Sequence, residues 1–391
     1  MMSQQTSKRP KIIFLFSDTG GGHRSAAEAI IEAIHLEYGA QIQTEMIDVI
    51  KKYTPLPLNR MPELYPSFVR LPRAWELGFH LSNGRHRVRL LYSGAWPIVR
   101  KSFRQFVFQN PCDLLVSVHP LLSAPVLRAM GTKKHPPLVT VVTDMATAHA
   151  SWYHRDTDLC IVASQEAYQR ALRAGLQPEQ VVEIGLPVAN RFCYPPGDKV
   201  ELRQKWGWPV DKTLVLLVGG GEGMGPIEHT AHAINAECKD AALVVVAGRN
   251  QRLKDRLQAY SWSIPTFIYG FVREMPDFMR AADILVSKAG PGTINEALIA
   301  GLPIILYSRL PGQEDGNVSF VVSEGAGLWA PRSNQIVPAI NRWIEFPDER
   351  ARVAATCLRL ARPHASRDIA HLLAARVGLS QPIEEMNPST V

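Results

Sequence analysis

The chain has 391 residues, 46% of them hydrophobic, which is more than one ordinary core holds and enough for two domains. A net charge of +7 and a pI near 9.2 point to an anionic partner: nucleic acid, a nucleotide substrate or a membrane surface. Five scattered cysteines with no C-x-x-C pair argue against a disulfide scaffold or zinc site and for buried thiols in a reducing compartment.

The apolar run KIIFLF (11–16) is too short for a signal h-region and reads as a first strand. No stretch approaches the roughly 20 apolar residues of a membrane span. RSAAEAIIEAIHLEY (24–38) repeats Ala26, Ile30, Ala33 and Ile34 at helical spacing. IQTEMIDV (42–49), DLLVSV (113–118), PLVTVVTD (137–144) and LCIVAS (159–164) continue a series of strands with helical segments between them. Such alternation predicts a parallel, doubly wound sheet. GLPVANRFCYPPGD (185–198) reads as a linker, after which the pattern restarts with TLVLLVGGG (213–221), ALVVVAG (242–248), TFIYGFV (266–272), ADILVSKAG (282–290) and LPIILY (302–307). The expected architecture is α/β: residues 1–190, then 191–365, then a C-terminal helix and tail over 366–391.

Residues 51–110 break this rhythm. They hold eleven Lys/Arg, two acids and ten aromatics, a local charge of +9 that exceeds the charge of the whole chain. Basic residues interleaved with aromatics suit an anionic lipid interface, here Trp75, Arg85, Arg87, Arg89, Trp96, Arg100, Lys101 and Arg104. The alternative is a helical insertion with a solvated basic face and an aromatic stripe turned to the core. No nucleic-acid module accompanies the charge.

Three glycine loops carry the candidate chemistry: DTGGGHRSAAEA (18–29), GGGEGMGPIE (219–228) and KAGPGTINEA (288–297). Bare backbone N–H groups at a helix N-terminus make an anion site. One such loop is more often a turn; three, each joining a strand to a helix, predict phosphate binding. Neither the P-loop spacing nor G-x-G-x-x-G with a following acid is present. His23, on the first loop, suits a general base, or else a helix-cap histidine. Asp144 shares its strand-end placement, and Asp18 stands nearby in sequence. Glu296 follows Gly292 by four residues, where it can accept from a ribose diol or simply offset the helix dipole. Gln313 and Glu314 can read sugar hydroxyls or form a solvated turn. His149 and His154 lack the partners of a metal site, so no metal is expected.

Together, SDTGGGHRSAAEAI, TDMATAHASWYH, GLPV, GGGEGMGPIE, AGRN, GFV, KAGPGTINEA, GLPIIL and GQEDGNV resemble the motifs of plant-type monogalactosyldiacylglycerol synthases. The wider group includes bacterial diglucosyldiacylglycerol synthases and the glycosyltransferase that makes lipid II. The resemblance covers about residues 11–330 and implies a GT-B fold of two facing Rossmann-like domains. It implies a UDP-sugar donor, a diacylglycerol acceptor, inversion at the anomeric carbon, no cofactor, and a monotopic enzyme on the cytoplasmic face of a membrane. By position, it implies that Glu296 binds the ribose, Gln313 and Glu314 the sugar, and Phe271 and Val272 the uracil. Gly290, Gly292 and Thr293 would hold the diphosphate, with Gly220, Gly221 and Arg249 in the same donor set. His23 would be the base on the acceptor side, beside Gly21 and Gly22, with Asp144 the alternative. Rival readings are a UDP-glucose-dependent diacylglycerol glucosyltransferase, a UDP-sugar 2-epimerase, which needs no lipid patch, and a non-catalytic nucleotide-sugar sensor.

Overall fold

The computed structural model describes residues 9–19, 21–64, 71–132, 134–194 and 197–379; the first loop's Gly20, part of the basic insert (65–70) and the tail 380–391 lie outside them. The chain divides into one unit of residues 1–190 with 364–391 and a second of residues 191–363. The first break falls inside the proline-rich linker, directly after Asn190.

In the first unit β1 (Lys11–Phe16), β2 (Gln43–Asp48), β3 (Leu114–Ser117), β4 (Leu138–Val141), β5 (Leu159–Val162) and β6 (Val181–Glu183) form one parallel sheet in the order β2-β1-β3-β4-β5-β6. Ile12, Ile13, Phe14 and Leu15 are all fully buried. That explains why β1 reads as a continuous apolar run: helices cover both faces of a parallel sheet. Helix α1 (Gly21–Tyr38) follows β1 directly, and the basic insert contributes α2 (Pro72–Ser82) and α3 (Arg85–Gln109).

The second unit repeats the plan with β7 (Thr213–Val218), β8 (Ala241–Val246), β9 (Thr266–Tyr269), β10 (Ile284–Lys288), β11 (Ile304–Ser308) and β12 (Gly327–Trp329). Its order is β12-β11-β10-β7-β8-β9, again parallel throughout. Helix α4 (Pro291–Ile299) follows β10, with Pro291 in the first turn, where its missing N–H costs nothing.

The C-terminal helix α5 (Ala365–Arg376) is no separate appendage. Ile369, Ala370, Leu373 and Ala374 complete the first unit's core, beside Ile12 and Phe14. Arg367 and His371 both reach Glu37 at the end of α1, at 2.7 and 2.9 Å. Ser366 closes the return by bonding both the N–H and the carbonyl of Val188.

In an open parallel sheet, ligands bind beyond the carboxyl ends of the strands, where the strand order reverses. The first unit reverses between β1 and β3, so the loops after Phe16 and Ser117 flank its crevice. The second reverses between β7 and β10, so the loops after Val218 and Lys288 flank its own. The three glycine loops occupy three of these four positions.

Candidate active site

His23 stands in the first turn of α1, at the first unit's reversal point. Its Nδ1 lies 2.9 Å from the Thr143 hydroxyl. Its ring meets His119 edge-on at 4.7 Å and lies 5.8 Å from Trp152. Burial lowers its pKa from 6.5 to about 4, against an opposing hydrogen bond to the Val118 backbone. His23 is therefore neutral near pH 7, as a proton acceptor must be. Thr143 and the Val118 backbone together hold the ring in place.

Glycine inside a helix costs about 1 kcal/mol relative to alanine, so Gly22 needs a reason. A Cβ there would meet nothing within 4 Å, so no neighbour in the protein requires the glycine. The same holds at Gly292 in α4. Open space on the exposed side of both helix starts is what close approach by a ligand demands.

Asp144 is buried, and its Oδ2 accepts the Trp152 indole N–H at 2.6 Å. Asp18 is held by Arg24 through two bonds of 2.8 and 2.6 Å.

Three residues in contact with His23 escaped the sequence reading: His119, Thr143 and Trp152. His119 stands two residues past the end of β3, within SVHPLL, and a histidine just beyond a strand, like His23 itself, was the available signal. The Leu121 N–H donates to its Nδ1 at 3.3 Å, so Nε2 carries the proton and donates to Thr19 Oγ1 at 2.8 Å. Burial, and then the neighbouring His23, hold its pKa well below 6.5.

In the second unit the loop after β7 does not run straight into a helix. It turns over residues 219–226 before the helix Ile227–Glu237 begins. Gly223 has φ +58°, and a Cβ there would lie 2.1 Å from the Ala247 carbonyl, so only glycine fits. This turn brings the loop against Arg249, whose guanidinium binds Glu222 at 2.8 Å and covers the exposed Phe271 ring at 4.7 Å. Val272 is half-buried beside it.

Lys288, which the sequence reading passed over, ends β10 between two glycine loops. Its Cε would lie 3.3 Å from a Cβ at Gly220, and its Nζ 3.3 Å from one at Gly290. Nζ donates to Glu314 Oε1 at 2.6 Å, and Glu314 Oε2 accepts the Leu310 N–H at 2.7 Å. Glu314 is thus buried with both oxygens engaged by the protein, while Gln313 is half-buried. Lys288→Met alone leaves that carboxylate unpaired and is expected to cost about 3–5 kcal/mol of stability. Lys288→Met with Glu314→Gln removes both charges and should restore most of the loss, as urea titration of the two variants will show.

Glu296 lies on the second turn of α4, with Thr293 half-buried one turn before. Burial raises its carboxyl pKa from 4.5 to about 7, with Arg191 pulling the other way. Between those values the folded state holds a proton that the unfolded state has lost, so stability falls as pH rises through the window. Glu296→Gln lacks that slope. Its Tm should match wild type near pH 4.5 and exceed it at pH 8, and equal differences at both would refute the burial.

The described basic residues of the insert are exposed. Arg85, Arg87, Arg89, Arg100, Lys101 and Arg104 all face solvent. Only Val88, Phe103 and Phe106 of α3 are buried. Leu77, Leu81, Leu90, Leu91 and Ile98 are exposed among the charges, Leu90 at 73%. Leu91 and Ile98 lie two turns apart on one stripe. The two tryptophans assigned to the lipid interface sit differently: Trp75 is half-buried, and Trp96 packs on the core with Arg128 over its ring at 4.7 Å. Among the described residues no helix is long and apolar enough to cross a membrane, and no three His, Cys, Asp or Glu side chains gather as a metal set.

Two Rossmann-like units, each with glycine loops at its strand-order reversal, define a GT-B fold. The fold is similar to that of MurG from Acinetobacter baumannii, with a TM-score of 0.59 at 14% identity over 94% of this chain and 100% of that one. Residues 214–336 match the glycosyltransferase family 28 C-terminal domain, and residues 23–188 match the model for monogalactosyldiacylglycerol (MGDG) synthase. The chain is 40% identical to "Probable monogalactosyldiacylglycerol synthase 2, chloroplastic" of Oryza sativa subsp. japonica, over 94% of this chain and 80% of the relative. It is 36% identical to "Monogalactosyldiacylglycerol synthase 1, chloroplastic" of Arabidopsis thaliana, over 94% and 71%. The chain belongs to the monogalactosyldiacylglycerol synthase family.

Proposed function

We propose that this protein transfers galactose from UDP-galactose to the free hydroxyl of 1,2-diacylglycerol, with inversion, as a peripheral enzyme on the cytoplasmic face of a membrane. The observation that carries the reading is the pairing of two features in a chain of this family. One is a neutral histidine beside an open glycine helix start. The other is an exposed basic and apolar insert in the same unit. The first supplies a base for an alcohol, and the second brings the chain to a lipid.

In this scheme the diacylglycerol hydroxyl gives its proton to the neutral His23 ring as its oxygen attacks C1 of the sugar. Thr143 holds the ring by Nδ1. The bond from C1 to the diphosphate breaks, and its electron pair leaves with UDP. The growing charge is met by backbone N–H groups at Gly290 and Gly292, by the start of α4, and by Lys288. Glu296 takes the ribose diol, Phe271 and Val272 flank the uracil, and Gln313 reads the sugar. Glu314 acts through Lys288 in this scheme and does not bind the sugar directly. No cofactor takes part.

The test is incubation of the purified chain with diacylglycerol vesicles and either UDP-galactose or UDP-glucose, with the lipid product identified by mass spectrometry and chromatography. Monogalactosyldiacylglycerol from UDP-galactose supports the reading. A glucolipid alone changes the donor, and no glycolipid from either donor overturns the reading. Turnover that persists in chelator supports the cofactor-free scheme, and its loss refutes that scheme.

A further inference from the structure

We propose that Asn83 is a positioning residue: from the end of the lipid-facing helix α2 it sets the turn that carries Trp152 against His23. The inference rests on the function proposed above and adds a residue that neither the motifs nor the glycine loops include.

Asn83 is the residue between α2 and Gly84, in extended conformation. Its Oδ1 accepts the Ala150 N–H at 3.0 Å, across 67 residues of sequence. Its neighbour Ser82 lies 3.1 Å from His149 Nε2. The protons at this junction can be assigned. The Ser151 N–H donates to His149 Nδ1 at 3.1 Å, so the ring proton sits on Nε2 and is donated to Ser82 Oγ. The Ser82 hydroxyl then donates to the Gly78 carbonyl at 2.6 Å, inside α2. The Phe79 ring meets His149 edge-on at 5.0 Å, closing the contact.

What this junction grips is the short helical turn Ala150–Trp152. Trp152 is fully buried and donates to Asp144 at 2.6 Å. Thr143, next to Asp144, bonds His23 at 2.9 Å, and the Trp152 ring lies 5.8 Å from the His23 ring. Both contacts of His23 on this side therefore belong to the segment 143–152, and α2 holds its far end. The same α2 exposes Leu77 and Leu81, the latter directly before Ser82. The helix that meets lipid is thus bonded to the turn that seats the base. Errors of about 1 Å in such seating cost up to about 10²-fold in rate.

The competing account is a latch that only holds a loop in place, and the experiment separates the two. Asn83→Ala removes the acceptor, whereas Asn83→Asp keeps an oxygen for the Ala150 N–H. With UDP-galactose and diacylglycerol vesicles, Asn83→Ala should lower kcat by about 10-fold or more. KM for the donor and Tm should stay at wild-type values, and Asn83→Asp should restore kcat. The indole N–H resonance of Trp152 should shift in the alanine variant and return in the aspartate variant. Unchanged kcat in Asn83→Ala, equal losses in both variants, or a kcat loss matched by a fall in folded fraction overturns the inference. A wild-type chain inactive with both donors sinks the function reading instead. The indole resonance then decides the positioning alone: no shift in Asn83→Ala refutes it.

Discussion

His23→Ala is expected to lower turnover by about 10²–10⁴, the range that a positioned general base contributes, while UDP binds with near-normal affinity. The split follows from where the groups lie. His23 and its contacts belong to the first unit, whereas the proposed donor residues Lys288, Glu296 and Phe271 all belong to the second. Truncating the ring also removes a contact to Thr143 and one to His119, so stability must be measured alongside. Thr143→Val is the finer probe: it keeps the imidazole, frees Nδ1, and should cost less than the alanine change. Because burial holds His23 at about 4, its titration places no limb in the rate profile near pH 6.5. Steady-state kinetics, with calorimetry for UDP, reads all of this. Near-normal turnover in His23→Ala would transfer the role to Asp144. That carboxylate is buried and accepts the Trp152 indole N–H at Oδ2, so Oδ1 would have to take the acceptor hydroxyl's proton.

The second large effect is on membrane binding. Neutralising Arg85, Arg87, Arg89, Arg100, Lys101 and Arg104 together should all but abolish partition onto anionic vesicles at low salt. Each basic residue near such a surface contributes about 1 kcal/mol, so six make a difference on the order of 10⁴-fold. Screening shrinks the effect as salt rises, because the Debye length falls to about 8 Å at 0.15 M. One of the six has a second bond: Arg87 donates to the His80 carbonyl at 2.8 Å, so that substitution also loosens the junction between α2 and α3. Binding to uncharged vesicles should be much less affected, since Leu81, Leu90 and Ile98 remain exposed to carry it. Co-sedimentation with anionic vesicles that does not change would show that the basic face is merely solvated.

Several elements could be read locally. β1, β7 and β8 are apolar runs buried on both faces, and that burial is why the runs are unbroken. The alternation of such runs with helical spacing was enough for two doubly wound domains. Shorter edge strands carried no such pattern: β6 and β12 have three residues each, too few to show a period. Helix α5 was visible as a helix, but its return to the first unit depends on Glu37 and Val188, which are remote in sequence.

The chemistry divides in the same way. His23, Glu296 and the glycine loops are legible because strand, turn and helix follow each other within about ten residues. Lys288 and Glu314 become a pair only when β10 and the loop after β11 lie side by side, 26 residues apart. His119 gains its meaning from β3 pairing with β1, which sets it against His23 across 96 residues of chain and next to Thr19. What the residues settled by themselves was local: periodicity, turn chemistry, and the charge of the insert. The tertiary structure alone decided which groups share a pocket, which acids are already engaged, and which tryptophans face inward. Strand order and packing join segments that no local spacing relates, and a side chain's protonation and partners depend on that long-range company.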